Sequence, residues 1–185
     1  MSARERVIGA ALDLFAENGV SGTSLQMIAD RLGVTKAAVY HQFPTKEEIV
    51  LTAIAPAMDR LVALAESTAG QRGRPARVRH AIAGVVDLVV DYRRLSAVLS
   101  FDPVVIQLVR PHPAMRAVES LLDMIAGPDP DPATRIGVTM VSGGLITAGT
   151  DPHLAKMDDE ALRSLLTASA LRLLGVRPAR ADQKQ

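Results

Sequence analysis

Apolar residues recur every three or four positions along most of the chain, and this spacing predicts helices rather than strands. The first predicted helix runs to about Asn18 and buries a stripe that includes Val7, Ala11 and Phe15. Gly19 follows the last residue of this stripe, and a glycine at that position predicts the end of a helix. We therefore expect an all-α protein whose first helix ends before residue 20.

The segment from Leu25 to Lys46 predicts two helices separated by a tight turn. The first should cover about Leu25 to Leu32 and end at Gly33. Thr35 is a candidate N-cap for the second helix, about Lys36 to Phe43, because its hydroxyl can accept a free N–H of the first turn.

The second of these helices has two different faces. Val39 and Phe43 are four residues apart and should pack against the first helix. The opposite face combines a cation, a methyl group, a phenol and an imidazole, a mixture that suits base edges and phosphates in a major groove. Its members are Lys36, Ala37, Tyr40 and His41.

Several of these positions together resemble the helix-turn-helix signature of the TetR family of bacterial transcriptional regulators. The resemblance covers roughly the first fifty residues and rests on Ile28-Ala29, Gly33-Val34-Thr35-Lys36, Val39-Tyr40, Phe43 and Lys46-Glu47-Glu48. It implies an N-terminal three-helix helix-turn-helix DNA-binding head followed by a C-terminal helical ligand-binding and dimerisation domain. The corresponding expected boundaries are a head at 1–48, a second domain at 49–176 and a disordered tail at 177–185.

The resemblance also implies a set of DNA contacts, with half-sites of a palindromic operator occupied by a homodimer. Gln26 has an equally good interpretation as a helix-cap partner, and Lys46 resembles a lysine with which the family clamps a phosphate. The predicted DNA-binding residues are Ser24, Gln26, Thr35, Lys36, Ala37, Tyr40, His41 and Lys46.

The rest of the chain predicts further helices. Pro56 should kink or break the fourth helix near Ala53, because proline removes a helical hydrogen bond. The remaining helices are expected at about Lys46 to Ser67, Ala76 to Ser100, from Asp102-Pro103 onward, Ala114 to Ala126, Ala133 to Ala148 and Asp158 to Leu174.

In the family the last two helices pair with those of a second subunit, which implies a homodimer here. Glycines in the first of these helices suggest close helix approach, whereas packing within one chain is the alternative. The predicted interface residues are Gly143, Leu162, Leu166 and Leu171.

A small apolar effector is the ligand that the second domain suggests, because methionines adapt to varied apolar shapes. The same residues are also ordinary core residues. We expect the effector to bind in an otherwise aliphatic interior. The predicted ligand-binding residues are Tyr92, Phe101, Gln107, Met115, Met124 and Met140.

Composition limits the remaining possibilities. The chain has 185 residues, a net charge of only +1 and no cysteine, which excludes disulfides and thiolate metal sites. The four histidines lack metal-ligand spacing, and no nucleotide-binding or nucleophile motif occurs, so we expect no cofactor and no enzyme. No charge-free apolar run is long enough to span a membrane, which favours a cytoplasmic protein.

The leading hypothesis is therefore a repressor that a ligand releases from DNA. Two alternatives stay open: the same fold acting without a small-molecule inducer, and a ligand-binding protein or enzyme with a vestigial DNA-binding head.

Overall fold

The computed structural model describes residues 2–177, and within that range the chain forms ten helices and no strand, which confirms the all-α prediction. The helices are α1 (Ala3–Gly22), α2 (Leu25–Leu32), α3 (Lys36–Gln42), α4 (Lys46–Ala69), α5 (Arg74–Asp91), α6 (Arg93–Leu99), α7 (Pro103–Val109), α8 (Ala114–Ala126), α9 (Pro132–Gly149) and α10 (Asp159–Leu173).

The chain forms two compact units. Unit 1 contains the described residues up to Met58 together with Arg94–Met115. Its core joins buried residues of α1 to α4 with Leu99 of α6 and Val105 of α7. The core that supports the helix-turn-helix thus includes α6 and α7, which come much later in the sequence.

Unit 2 contains Asp59–Arg93 and the described residues from Arg116 onward. Its core is built by apolar side chains of α4, α5, α8, α9 and α10. This grouping differs from the predicted division at residue 48, because α6 and α7 contribute to the core of unit 1. Of the predicted tail 177–185, only Arg177 lies within the described residues.

Three predicted helices differ in detail from the structure. α1 kinks at Gly19, whose φ is 71°, and continues to Gly22. α4 continues through Pro56, so of the expected kink or break near Ala53 the break is wrong. The single helix expected from Ala76 to Ser100 is also wrong, because Tyr92 ends α5 and α6 follows it. The physical reason is that Val90 of α5 and Leu99 of α6 are buried in different cores.

In the part of the chain from residue 2 to residue 177, no helix has both the length and the apolar composition needed to cross a membrane.

Candidate nucleic-acid interface

Side-chain caps define the ends of α2 and α3. The Ser24 hydroxyl accepts a hydrogen bond from the N–H of Met27 at 3.2 Å and begins α2. Gly33 ends α2 with φ 65°, a left-handed conformation that glycine adopts without strain. The Thr35 hydroxyl accepts from the N–H of Ala38 at 3.2 Å and begins α3, as predicted.

α3 buries one face and exposes the other. Val39 is fully buried, as is the C-cap residue Phe43, and both belong to the same core as Ile28 of α2. The exposed residues include Tyr40, with 58% of its surface accessible. The structure therefore brings four predicted DNA contacts to one open surface, which we call the α3 face: Lys36, Ala37, Tyr40 and His41.

Lys36 provides the positive charge of the α3 face. Arg31 of α2 is paired with Glu17 of α1 at 2.7 Å, and this hydrogen bond lowers the pKa of Glu17 below its ordinary value. Lys36 takes part in none of the ion pairs between residues of the described range. Its charge is therefore available to a phosphate.

Lys46, a predicted phosphate contact, bonds to the backbone of the same chain. Its Nζ donates to the backbone oxygens of Val20 at 2.6 Å, Thr23 at 3.0 Å and Ser21 at 3.1 Å. An ammonium group has three N–H donors, so these bonds occupy all of them. The charge of Lys46 thus stabilises the carbonyl end of α1, and a phosphate contact by Lys46 stays a prediction.

Gln26 is exposed on α2, and its amide nitrogen donates to the Asp30 carboxylate at 2.7 Å. This bond lies on the helix surface between residues four apart. It is not the cap partnership that the sequence suggested, since Ser24 caps α2 through Met27. DNA contact by Gln26 stays a prediction.

Arg4 contributes to the same head, although no sequence motif marks it. Its guanidinium lies 4.0 Å from the centroid of the Phe43 ring, and its Nη1 donates to the backbone oxygen of Gln42 at 2.9 Å. Gln42 is the last residue of α3, so Arg4 satisfies a carbonyl at the helix end. The partners are 38 residues apart, and no local pattern in the sequence connects them.

The predicted ligand residues do not form one interior cluster. Phe101 is 63% exposed and Met140 is 69% exposed, so the expected interior position is wrong for both. Gln107 is exposed as well, whereas Tyr92, Met115 and Met124 are half-buried. Phe101, Gln107 and Met115 belong to unit 1, and Tyr92, Met124 and Met140 belong to unit 2. Met140 is exposed because α9 packs with Val138 and Val141 toward the core.

Three of the predicted dimer-interface residues are core residues instead. Leu162, Leu166 and Leu171 are 2%, 8% and 3% exposed and pack inside unit 2. Gly143 is exposed on α9, and among the described residues nothing beyond its chain neighbours and the nearby backbone of α9 lies within 4 Å of where its Cβ would be. Other apolar side chains face outward on the last two helices: Ile136, Met140 and Ile146 of α9, and Leu165 and Leu173 of α10.

Among residues 2–177, no three histidine, aspartate or glutamate side chains lie together in a way that can hold a metal ion.

Residues 7–53 match the family described as "Bacterial regulatory proteins, tetR family". Over 52 residues the chain is 44% identical to the HTH-type transcriptional regulator SrpR of Pseudomonas putida, which corresponds to 28% of this chain and 24% of SrpR. The chain spans only about a quarter of the length of the first curated relatives that it matches. The sequence likeness is therefore a likeness of the head.

Solved structures extend the likeness to the whole fold. SCO3833, a TetR-family member from Streptomyces coelicolor, has a TM-score of 0.69 at 20% identity and is matched over 93% of this chain and 90% of its own. FadR of Bacillus subtilis in complex with stearoyl-CoA has a TM-score of 0.63 at 19% identity and is matched over 94% of this chain and 99% of its own. At these identities the match concerns the fold alone.

Proposed function

We propose, on the premise that residues 7–53 match the TetR family, that the protein is a transcriptional regulator that binds operator DNA as a homodimer. The observation that carries the proposal is the α3 face. Four residues with suitable chemistry lie exposed on a helix whose other side is locked into the core. A recognition helix needs this arrangement, because contacts to base edges require a rigidly held backbone.

The four side chains divide the contacts among themselves. Lys36 supplies a positive charge for a phosphate, and Tyr40 and His41 supply hydrogen-bonding groups for phosphates or base edges. The methyl group of Ala37 is small enough to meet a thymine methyl. Ser24 and Thr35 lie exposed at the starts of α2 and α3, where we also propose phosphate contacts.

The homodimer is proposed on the exposed apolar residues of α9 and α10. Ile136, Met140 and Ile146 recur at spacings of four and six residues along α9, and Leu165 and Leu173 lie eight apart on α10. The spacing of four places Ile136 and Met140 on one face of α9. Large exposed apolar side chains gathered on one part of a surface are a mark of interaction sites. Gly143 lies within the α9 stripe, where the missing side chain would allow a second helix to approach.

We further propose that the regulator is a repressor released by an apolar effector. FadR of Bacillus subtilis shares the fold and was solved with stearoyl-CoA, so a long-chain acyl-CoA is the first compound to test. Release requires that the effector bind the DNA-free arrangement more tightly than the DNA-bound one. Since DNA is the proposed partner, we also expect a cytoplasmic location.

The direct test is binding of the full chain to the DNA that flanks its own gene, measured by fluorescence anisotropy over a salt series. We expect saturable binding that resists competitor DNA and weakens steeply with salt, since each neutralised phosphate releases counterions. The proposal would be contradicted if the protein binds only weakly, and any competitor DNA displaces it, both on the flanking fragment and on a library of genomic DNA fragments. Addition of stearoyl-CoA to the complex then tests the effector.

Tyr40→Ala tests the α3 face within the same assay. Tyr40 is exposed, so its removal should leave folding and the dimer unchanged while operator affinity is lost. Ile106→Ala is a matched control, because Ile106 is also a large exposed side chain, 52% accessible, but lies on α7, outside both the α3 face and the proposed dimer surface. If Tyr40→Ala binds DNA as tightly as the wild type, Tyr40 does not contact the DNA.

A further inference from the structure

The short segment from Gly19 to Ser24, which we call the α1–α2 turn, contains a buried residue whose N–H donates to a side chain outside α1. Gly19 has φ 71° and ψ 166°, so the chain leaves the helical path there. Val20, directly after the kink, is fully buried. A buried N–H needs a partner, because leaving it unpaired costs free energy comparable to a lost hydrogen bond.

Asp102 supplies that partner from a distant part of the chain. Its Oδ2 accepts from the N–H of Val20 at 2.9 Å, although the two residues are 82 positions apart. Its Oδ1 accepts from the N–H of Val104 at 2.9 Å and of Val105 at 3.4 Å, which caps α7. One carboxylate therefore holds both the kink of α1 and the start of α7.

The other polar groups of the α1–α2 turn are held as well. Lys46 donates to the carbonyl oxygens of Val20, Ser21 and Thr23. The buried Thr23 hydroxyl lies 2.9 Å from the carbonyl oxygen of Gly19. Lys46 and Thr23 bond to carbonyl oxygens of the turn, whereas Asp102 accepts from the N–H of Val20. Asp102 lies outside the segment 7–53 that matches the family.

Because Ser24 ends the turn and begins α2, the geometry of the turn sets where α2 starts. α2 packs against α3 in the same core, so a shift at the turn is passed to the α3 face. We propose that Asp102 is a positioning residue for DNA binding, which acts by fixing the α1–α2 turn through the N–H of Val20. This inference rests on the proposed function and extends the DNA-binding head to a residue of the second half of unit 1.

The chain contains a matched control for this role. Asp131 also precedes a proline and caps a helix, and its carboxylate accepts from the N–H of Thr134 at 2.7 Å at the start of α9. Asp131 lies in unit 2, and its carboxylate bonds to its own helix end. Asp102→Ala and Asp131→Ala each remove one helix cap, but only Asp102→Ala also releases Val20.

The experiment compares three full-length variants with the wild type on the same DNA fragment and measures hydrogen exchange of the α1–α2 turn by mass spectrometry. Asp102→Ala should weaken DNA binding roughly tenfold or more, since a hydrogen bond to a charged group contributes at least about that factor to the population of the competent turn. Its residues 19–24 should exchange faster than those of the wild type. Asp131→Ala should leave both quantities unchanged. Asp102→Asn, which keeps one carbonyl acceptor, should give an intermediate loss and remains testable if the alanine variant folds poorly.

Two results would overturn the inference. One is an equal loss of DNA affinity in Asp102→Ala and Asp131→Ala, which would mean that any lost cap has this effect. The other is unchanged exchange of the turn in both Asp102 variants. If the wild type itself binds no DNA at low salt, the proposed function fails, and the exchange data alone still decide whether Asp102 holds the turn.

Discussion

At the scale of single residues, the proposed DNA-binding head depends on a few charged side chains whose partners are backbone groups. Lys46 satisfies three carbonyl oxygens at the end of α1, and Arg4 satisfies the carbonyl of Gln42 at the end of α3. Cations are favourable at these positions, since the carbonyl end of a helix carries partial negative charge. These side chains stabilise the frame on which the α3 face is presented.

The different roles of Lys46 and Lys36 can be separated by salt dependence. Lys36→Met should reduce the salt slope of DNA binding by about one, because a phosphate contact is lost. Lys46→Met should lower the free energy of unfolding by about 2 kcal/mol and weaken DNA binding without changing that slope. Anisotropy titrations over a salt series, together with urea unfolding, measure both effects. A shallower salt slope of DNA binding for Lys46→Met would show that Lys46 contacts a phosphate.

At the scale of helices, a network of ion pairs joins three elements of unit 2. Arg60 of α4 contacts Asp91 of α5 at 2.6 Å, and Arg163 of α10 contacts both Asp91 and Asp87. The Arg60 guanidinium also lies 5.6 Å from the centroid of the Tyr92 ring. The hydrogen bond from Arg60 is the main cause that lowers the pKa of Asp91 below its ordinary value.

The lowered pKa of Asp91 predicts a stability that depends on pH. The carboxylate contributes its stabilisation above the ordinary aspartate pKa, and that contribution is lost as pH falls through the lower pKa of the folded state. Asp91→Asn should therefore lower the free energy of unfolding at neutral pH by about 1 kcal/mol or less, since the group is partly exposed. The difference from the wild type should disappear in strong acid. Asp59→Asn is the control, because Asp59 forms no ion pair within the described residues. An Asp91→Asn deficit that persists unchanged in acid would contradict this assignment.

Helices with local signals were predictable, whereas features that depend on distant contacts were not. The Asp-Pro pair at Asp102 predicted the start of α7, and the Thr35 cap holds as expected. The separation of α5 from α6 depends on which core each helix packs into, and no local residue marks it. The bond between Asp102 and Val20 joins residues 82 positions apart, beyond the reach of any periodicity.

The candidate interfaces show the same limit. On α3 the buried and exposed faces followed directly from spacing, because Val39 and Phe43 are the only large aliphatic or phenyl side chains there. On α10, leucines occur on several sides, so composition could not distinguish the buried Leu162 and Leu166 from the exposed Leu165. Only tertiary packing separates them.

At the scale of the whole molecule, the proposed recognition of an operator requires two copies of the chain. A homodimer presents two α3 faces to two half-sites, which turns a modest affinity of each head into a strong joint one. This matters here because the net charge of the chain is only +1, so long-range attraction to DNA is weak.

The dimer surface can be tested with two charge substitutions on exposed apolar side chains. Met140→Glu places a charge in the proposed interface on α9, and Ile106→Glu places the same charge on α7 in unit 1. Met140 is 69% exposed and Ile106 is 52% exposed, so neither change disturbs a core. Light scattering should show Met140→Glu shifted toward monomer and Ile106→Glu still dimeric. Equal behaviour of both variants would contradict the proposed surface.

The central claim is that the α3 face recognises DNA sequence as part of a symmetric dimer. Selection of bound DNA from a random pool, carried out in parallel with the wild type and with Tyr40→Ala, tests it most directly. We predict that the wild type enriches an inverted repeat whose half-sites lie about one or more helical turns apart, and that Tyr40→Ala enriches no motif. Recovery of no motif by the wild type, or of the same inverted repeat by both proteins, would contradict the claim.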